Sequence, residues 1–177
     1  TAYNLGRNVN INAGDGFNTI SVTDAVSGND TINSGKDGSS ITVNKDGNKN
    51  INTGAGNDTI SVTGNGNKNI NAGNGLNKIT VSGSGVNTIN TGINNDIISV
   101  SGNGTSRINT GAGNDEIIVS AGGNHTITGG AGNDKFIFSD TSFSAVLTDA
   151  SSDDLIRFDK NIDLSKFITA KSGNNLD

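Results

Sequence analysis

The chain has 177 residues, 26 of them glycine, with no Pro, Cys, Met or Trp, a formal net charge of -5, and only 31% hydrophobic and 4% aromatic residues. That length allows one domain, and so small an apolar share excludes a thick layered core. Without cysteine there are no disulfides or thiolate metal sites, the scattered Lys and Arg form no stripe for nucleic acid, and no apolar run reaches the roughly 18 residues of a membrane span.

Residues 1–20 lack the charged and apolar regions of a signal peptide. No capping segment is visible at residues 1–8, so further coils or another domain are expected upstream of Thr1. A first coil carries Ile11, Gly14, Ile20 and Val22. It comes into phase with the rest after a two-residue insertion near "TDAVSGND" at residues 23–30.

From there the sequence repeats every 19 residues. Gly35, Gly54, Gly73, Gly92, Gly111 and Gly130 mark one turn, and six residues on stand Ile41, Ile60, Ile79, Ile98, Ile117 and Phe136. Two further come Val43, Val62, Val81, Val100, Val119 and Phe138, a step that puts both side chains on one face of a strand. A second ladder runs Ile32, Ile51, Ile70, Ile89, Ile108 and Ile127, each behind its own glycine-rich turn. Each period therefore holds two strands and two turns. "NTGAGNDTISV" at residues 52–62 and "NTGAGNDEIIV" at residues 109–119 occupy the same place on coils three turns apart. A single coil buries nothing alone, so identical coils must stack. The fold expected is all-β, a right-handed parallel β-roll over residues 1–138, with a loop and C-terminal cap of the same domain over 139–177. Residues 139–152 show no repeat and read as a loop. Phe136, Phe138, Phe143, Phe158 and Phe167 are expected to plug the open end, with "IDLSKF" as a final strand.

Three inward aliphatics per coil offset little of the entropy lost in ordering it, so the turns are expected to add a stabiliser. In "GAGND", Gly54 and Gly56 allow the backbone to curl with its carbonyl oxygens inward, and Asp58 adds a carboxylate. The next coil repeats the set about 4.8 Å away. Oxygen-only cages at that spacing suit Ca²⁺, which takes about 6 to 8 oxygens in flexible geometry.

These turns resemble the nonapeptide Gly-Gly-x-Gly-x-Asp-x-U-x of RTX proteins, whose parallel β-roll binds Ca²⁺ between coils. "TGGAGNDKF" at residues 128–136 is the nearest copy, and "FIFSD" with "DDLIRFDKNIDLSKF" at residues 153–167 resembles the C-terminal end of the rolls in serralysin proteases, alginate epimerase R-modules and RTX adhesins. The resemblance implies a calcium-binding, non-enzymatic module of a larger secreted bacterial protein, an adhesin or toxin fragment. It further implies type I export of an unfolded chain and folding on Ca²⁺ outside the cell, with the upstream domains of the parent protein as partners.

Stepping by 19 gives Ser39, Asp58, Asn77, Asp96, Asp115, Asp134 and Asp153 on one edge. The predicted metal ligands are Asp58, Asp96, Asp115, Asp134 and Asp153, with Gly54, Gly56, Gly92, Gly111, Gly113, Gly130 and Gly132 supplying turn backbone. The best sites are expected between Asp96 and Asp115, Asp115 and Asp134, and Asp134 and Asp153, with weaker or empty ones beside Ser39 and Asn77. The opposite edge reads Asp30, Lys49, Lys68, Asn87, Ser106 and His125. Lysine repels Ca²⁺, so this edge is expected to be largely ion-free.

His125, the only histidine, reads as a solvated turn residue and has no partners for zinc or for catalysis. Asp153 with Asp154, and Asp159 with Asp163, read as capping or ion-binding pairs rather than acid/base pairs. Outward columns of Asn33, Asn52, Asn71, Asn90 and Asn109 on one face, and Ser21, Thr42, Ser61, Thr80 and Ser99 on the other, offer a flat array that can match a polysaccharide or ice. Calcium-dependent ice-binding adhesin domains resemble the chain in period, but carry Thr where this sequence has Ala55, Asn74, Ile93, Ala112 and Ala131. Polar residues that merely solvate the two faces are the plainer reading.

Overall fold

A computed structural model describes residues 8–23, 26–120, 122–159 and 167–169. Their strands form two parallel sheets, and no helix occurs among the described residues. One sheet runs in the order β1 (Asn10–Asn12), β3 (Asp30–Asn33), β5 (Lys49–Asn52), β7 (Lys68–Gly73), β9 (Val86–Thr91), β11 (Thr105–Asn109), β13 (Gly123–Thr128), β15 (Phe143–Leu147), β17 (Phe167–Thr169). The other is β2 (Asn18–Val22), β4 (Ser39–Asn44), β6 (Asp58–Thr63), β8 (Lys78–Val81), β10 (Ile97–Ser101), β12 (Glu116–Ser120), β14 (Lys135–Phe138), β16 (Leu155–Phe158). Successive strands alternate between the sheets, so the chain winds as a parallel β-solenoid, one odd and one even strand to a coil.

The register follows the sequence ladders. Ile41, Ile60, Ile79, Ile98, Ile117 and Phe136 are successive partners in the even sheet. Ile32, Ile51, Ile70, Ile89, Ile108 and Ile127 do the same in the odd sheet. All are buried, and between the sheets they make one narrow core. The insertion near residue 25 appears as a 21-residue step, with Ile20 paired to Ile41.

The segment read as a loop is not wholly one. Phe143–Leu147 pairs with β13, burying Phe143, Ala145 and Leu147. One extra residue in this coil puts Ala145 opposite His125, a step of 20 that a fixed period of 19 passes over. The aromatic plug is formed in part: the Phe138 ring stacks on Phe143 at 4.9 Å and on Phe158 at 5.7 Å between centroids. Phe167 opens β17, while residues 162–166 of "IDLSKF" lie outside the described residues. Phe138→Ala should lower stability by about 3 to 5 kcal/mol in denaturant melts. A loss below about 1 kcal/mol would mean that the ring supports nothing.

Asparagine side chains stitch the coils along both edges. Asn29 Oδ1 accepts from the Asn48 amide, Asn48 Oδ1 from Asn67 and Asn67 Oδ1 from Val86, at 2.9 to 3.0 Å. On the other edge Asn57 Oδ1 accepts from Leu76, Asn95 Oδ1 from Asn114 and Asn114 Oδ1 from Asn133, at 2.8 to 2.9 Å. The turns thus satisfy backbone donors that the strand ladders leave over.

Candidate metal centre

The turn from an odd strand to the next even strand ends on the aspartate column. Alternation in β6 points Asp58, Ile60 and Val62 to the same interior, so the carboxylate is carried inside the solenoid. Asp58, Asp96, Asp115 and Asp134 are each 1 to 2% exposed. Their carboxylates reach back one coil: Asp96 Oδ1 accepts the Asn77 amide at 2.7 Å, Asp115 Oδ1 the Asp96 amide at 2.7 Å, and Asp134 Oδ1 the Asp115 amide at 2.9 Å.

Two coils carry asparagine at this place and show what surrounds the second side-chain atom. Asn77 Oδ1 accepts from the Asp58 amide, which fixes the orientation of its amide group. Its Nδ2 then donates to the carbonyls of Gly73 and Gly75, both at 3.1 Å. Asn18 Nδ2 likewise donates to Gly14 and Gly16, both at 2.8 Å. The terminal atom sits against two turn carbonyls. In the aspartate coils that atom is an oxygen, which has no proton to give them. Accordingly Asp96 Oδ2 and Asp115 Oδ2 are buried with no hydrogen-bond partner, and so is Asp58 Oδ1.

The chain matches no family model, no curated protein and no solved structure.

Burial pushes the carboxyls of Asp58, Asp96 and Asp134 up to about 6, and raises Asp115 too. A hydrogen bond from Thr53 opposes the rise at Asp58, and one from the Asn77 amide opposes it at Asp96, while the charges of Asp115, Asp154 and Asp149 add to it at Asp134. A cation between coils would reverse this cost.

The donor set fits a hard cation in the following sense. Among the described residues no three His, Cys, Asp or Glu side chains converge on a point, so a gap within the run Asp96, Asp115 and Asp134 offers carboxylates from two neighbouring coils, a gap beside Asp58 offers one, and the rest must be backbone oxygens. The Gly92 and Gly111 carbonyls already accept the amides of Ala112 and Ala131, at 2.8 and 2.9 Å, which leaves each one lone pair. Oxygen donors in that mixture suit Ca²⁺ better than Zn²⁺.

The column's last member differs from the sequence expectation. Asp153 is exposed, whereas Asp154 Oδ1 accepts the Asp134 amide at 2.8 Å. The 20-residue step that pairs Lys135 with Leu155 moves the position by one. Asp154 Oδ2 also accepts from the Ser151 amide at 2.7 Å, and Asp149 accepts from the Gly129 and Gly130 amides, at 3.0 and 2.6 Å. His125 is another correction. It is 2% exposed, because its place in β13 alternates inward with Ile127.

Sequence reasoning missed the hydroxyl column that accompanies the carboxylates. Thr53 Oγ1 lies 2.6 Å from Asp58 Oδ2, and Ser34 and Ser39 pair at 2.7 Å. Thr91 and Thr110 instead donate to carbonyls one coil on, Thr110 O at 2.8 Å and Gly129 O at 2.7 Å. The signal was present five residues before four of the column positions: Ser34, Thr53, Thr91 and Thr110 precede Ser39, Asp58, Asp96 and Asp115, while Ala72 precedes Asn77 and Gly129 precedes Asp134.

Proposed function

We propose that this chain is a calcium-binding module of the RTX type, part of a larger secreted bacterial protein, which orders its coils on meeting Ca²⁺ outside the cell. It serves as a structural, secretion-linked spacer rather than an enzyme. The observation that carries the reading is the exchange of amide for carboxylate at one place. Where Asn77 donates to two turn carbonyls, Asp96 and Asp115 set an unpartnered oxygen, and a divalent cation is what reconciles three oxygens. Extracellular-type sites with Kd of about 10⁻⁴ to 10⁻³ M would be empty in cytosol and filled outside, and binding would then be coupled to folding. Among the described residues no helix is long and apolar enough to cross a membrane.

Circular dichroism with Ca²⁺ and with a chelator tests this, together with a calorimetric count of bound ions. A strand signal indifferent to chelation, with no heat of calcium binding, would end the reading. A sharper version uses Asp115→Asn, which rebuilds the Asn77 arrangement. This variant should be more stable than the parent in chelator, by about 1 to 3 kcal/mol, yet bind fewer Ca²⁺ ions. Equal stoichiometry in the two proteins would exclude Asp115 as a ligand.

A second reading is a calcium-stabilised module whose polar face holds a glycan, or ice. Its support is a groove of about 530 Å³ beside the second edge, lined by Thr31, Asn48, Asn50, Asn67, Asn69 and Thr88 among others. A glycan array probed with the calcium-loaded protein, and an ice-affinity assay, separate it from the spacer reading.

A further inference from the structure

The turns that run from an even strand to the next odd strand carry no column of aspartates, yet they stack as closely. Their inward column is Asp30, Lys49, Lys68, Asn87, Ser106 and His125, all at most 2% exposed. Lys49 is the informative member. Its Nζ donates to Gly28 O at 2.7 Å, Asp46 O at 2.9 Å and Gly47 O at 2.9 Å, and lies 3.2 Å from Asp30 Oδ2. Gly28 belongs to the turn before β3 and Asp46 and Gly47 to the turn before β5, so one ammonium joins two successive coils. All three of its protons are used on carbonyls. Asp30 Oδ1 meets a second buried ammonium, Lys45 Nζ, at 3.3 Å, and accepts the Val9 amide at 3.0 Å.

One coil on, Lys68 Nζ donates to Ser84 O at 3.1 Å, in the turn before β9. Again the ammonium of one coil holds a carbonyl of its neighbour. The next two members of the column, Asn87 and Ser106, carry no charge. Asn87 Oδ1 and Nδ2 and Ser106 Oγ are buried without a hydrogen-bond partner among the described residues.

We propose that Lys49 and Lys68 are tethered cations, each placing its ammonium between successive turns of the second edge where the aspartate edge would take an ion from solution. The second edge of β5 to β9 is then built without calcium. The comparison rests on the calcium reading; the placement of the ammonium groups does not. Burial is the main influence on both lysines and pulls their pKa down, opposed at Lys49 by the Asp30 charge. Such groups stay charged only while the carbonyls solvate them. The lysines sit on β5 and β7, whereas the run of consecutive aspartates, Asp96, Asp115 and Asp134, borders β10, β12 and β14.

Nitrogen-15 NMR of the calcium-loaded wild-type chain, near pH 6, reads the ammonium groups directly. The Lys49 and Lys68 signals should persist, shielded from exchange with water, and each should vanish in its own Lys→Met variant. Exchange of both at the rate of a solvated lysine overturns the proposal, and this measurement requires no variant to fold. Lys49→Met keeps the stem and removes the charge, stranding three carbonyls and taking from Asp30 one of the two ammonium groups beside it. Its unfolding equilibrium constant should rise at least about a hundredfold, in calcium and in chelator alike. A variant as stable as the parent, or one that added Ca²⁺ restores, would also overturn it. If the wild-type chain proves indifferent to calcium, the calcium reading falls while the lysine signals and the Lys49→Met loss still decide this one.

Discussion

Freed of divalent ions, the protein should become more stable as pH is lowered from 7.5 to 5, the reverse of ordinary acid denaturation. Asp58, Asp96 and Asp134 have carboxyls pushed up to about 6 by burial, against 3.8 in the unfolded chain. Between these values the native state holds more protons than the unfolded state, so stability falls as pH rises through the window and levels off above it. Each group contributes roughly 3 kcal/mol across the whole window, of which about 1.4 kcal/mol falls between pH 5 and 7.5. Calcium competes with the same protons, so the stabilisation it confers should be small at pH 5 and large at pH 7.5. Thermal melts at several pH values, in chelator and in millimolar CaCl₂, give both curves. A melting temperature that climbs with pH in chelator would contradict the buried carboxylates of Asp96 and Asp115 with their unpartnered Oδ2 atoms.

Gly130→Ala should unfold or badly destabilise the C-terminal coils even with calcium present. Gly130 has φ of 97°, and a Cβ there would lie 1.7 Å from the Gly111 carbonyl oxygen of the preceding coil. That same oxygen accepts the Ala131 amide at 2.9 Å, so the coils cannot part without losing the bond. The left-handed backbone alone costs about 1 to 2 kcal/mol with a side chain, and the overlap with rigid backbone should carry the loss beyond about 3 kcal/mol. Gly14→Ala is the control. Its φ is 77°, but its Cβ would meet nothing within 4 Å, so only the conformational cost of about 1 kcal/mol should remain. Equal losses at the two positions in denaturant melts would show that the stacking of turns is not what requires glycine.

The fold was legible because one physical constraint, a parallel ladder, forces like residues into columns. Ile60, Ile79 and Ile98 name their own partners once a period of 19 is seen. The same rigidity of period explains the misses. A single added residue before Phe143 hid the strand Phe143–Leu147 and moved the acidic position from Asp153 to Asp154. His125 was misjudged because one histidine in a polar turn looks solvated, although its neighbours in the column, Lys68, Asn87 and Ser106, are buried as well. At the aspartate edge the residue types pointed to an oxygen cage. What they left unsaid was direction: that Oδ1 would be taken by a neighbouring amide, and that Asn18 and Asn77 would reveal the role of the other atom.

Hydrogen bonding in each sheet joins a strand only to those one coil away, and this locality makes the molecule's reach a matter of counting. Removing residues 64–82, a whole period, would shorten it by about 4.8 Å and bring Ile60 to face Ile98 with its lattice of partners unchanged. Evolution can thus lengthen or trim such a rod in quantised steps without redesigning either end.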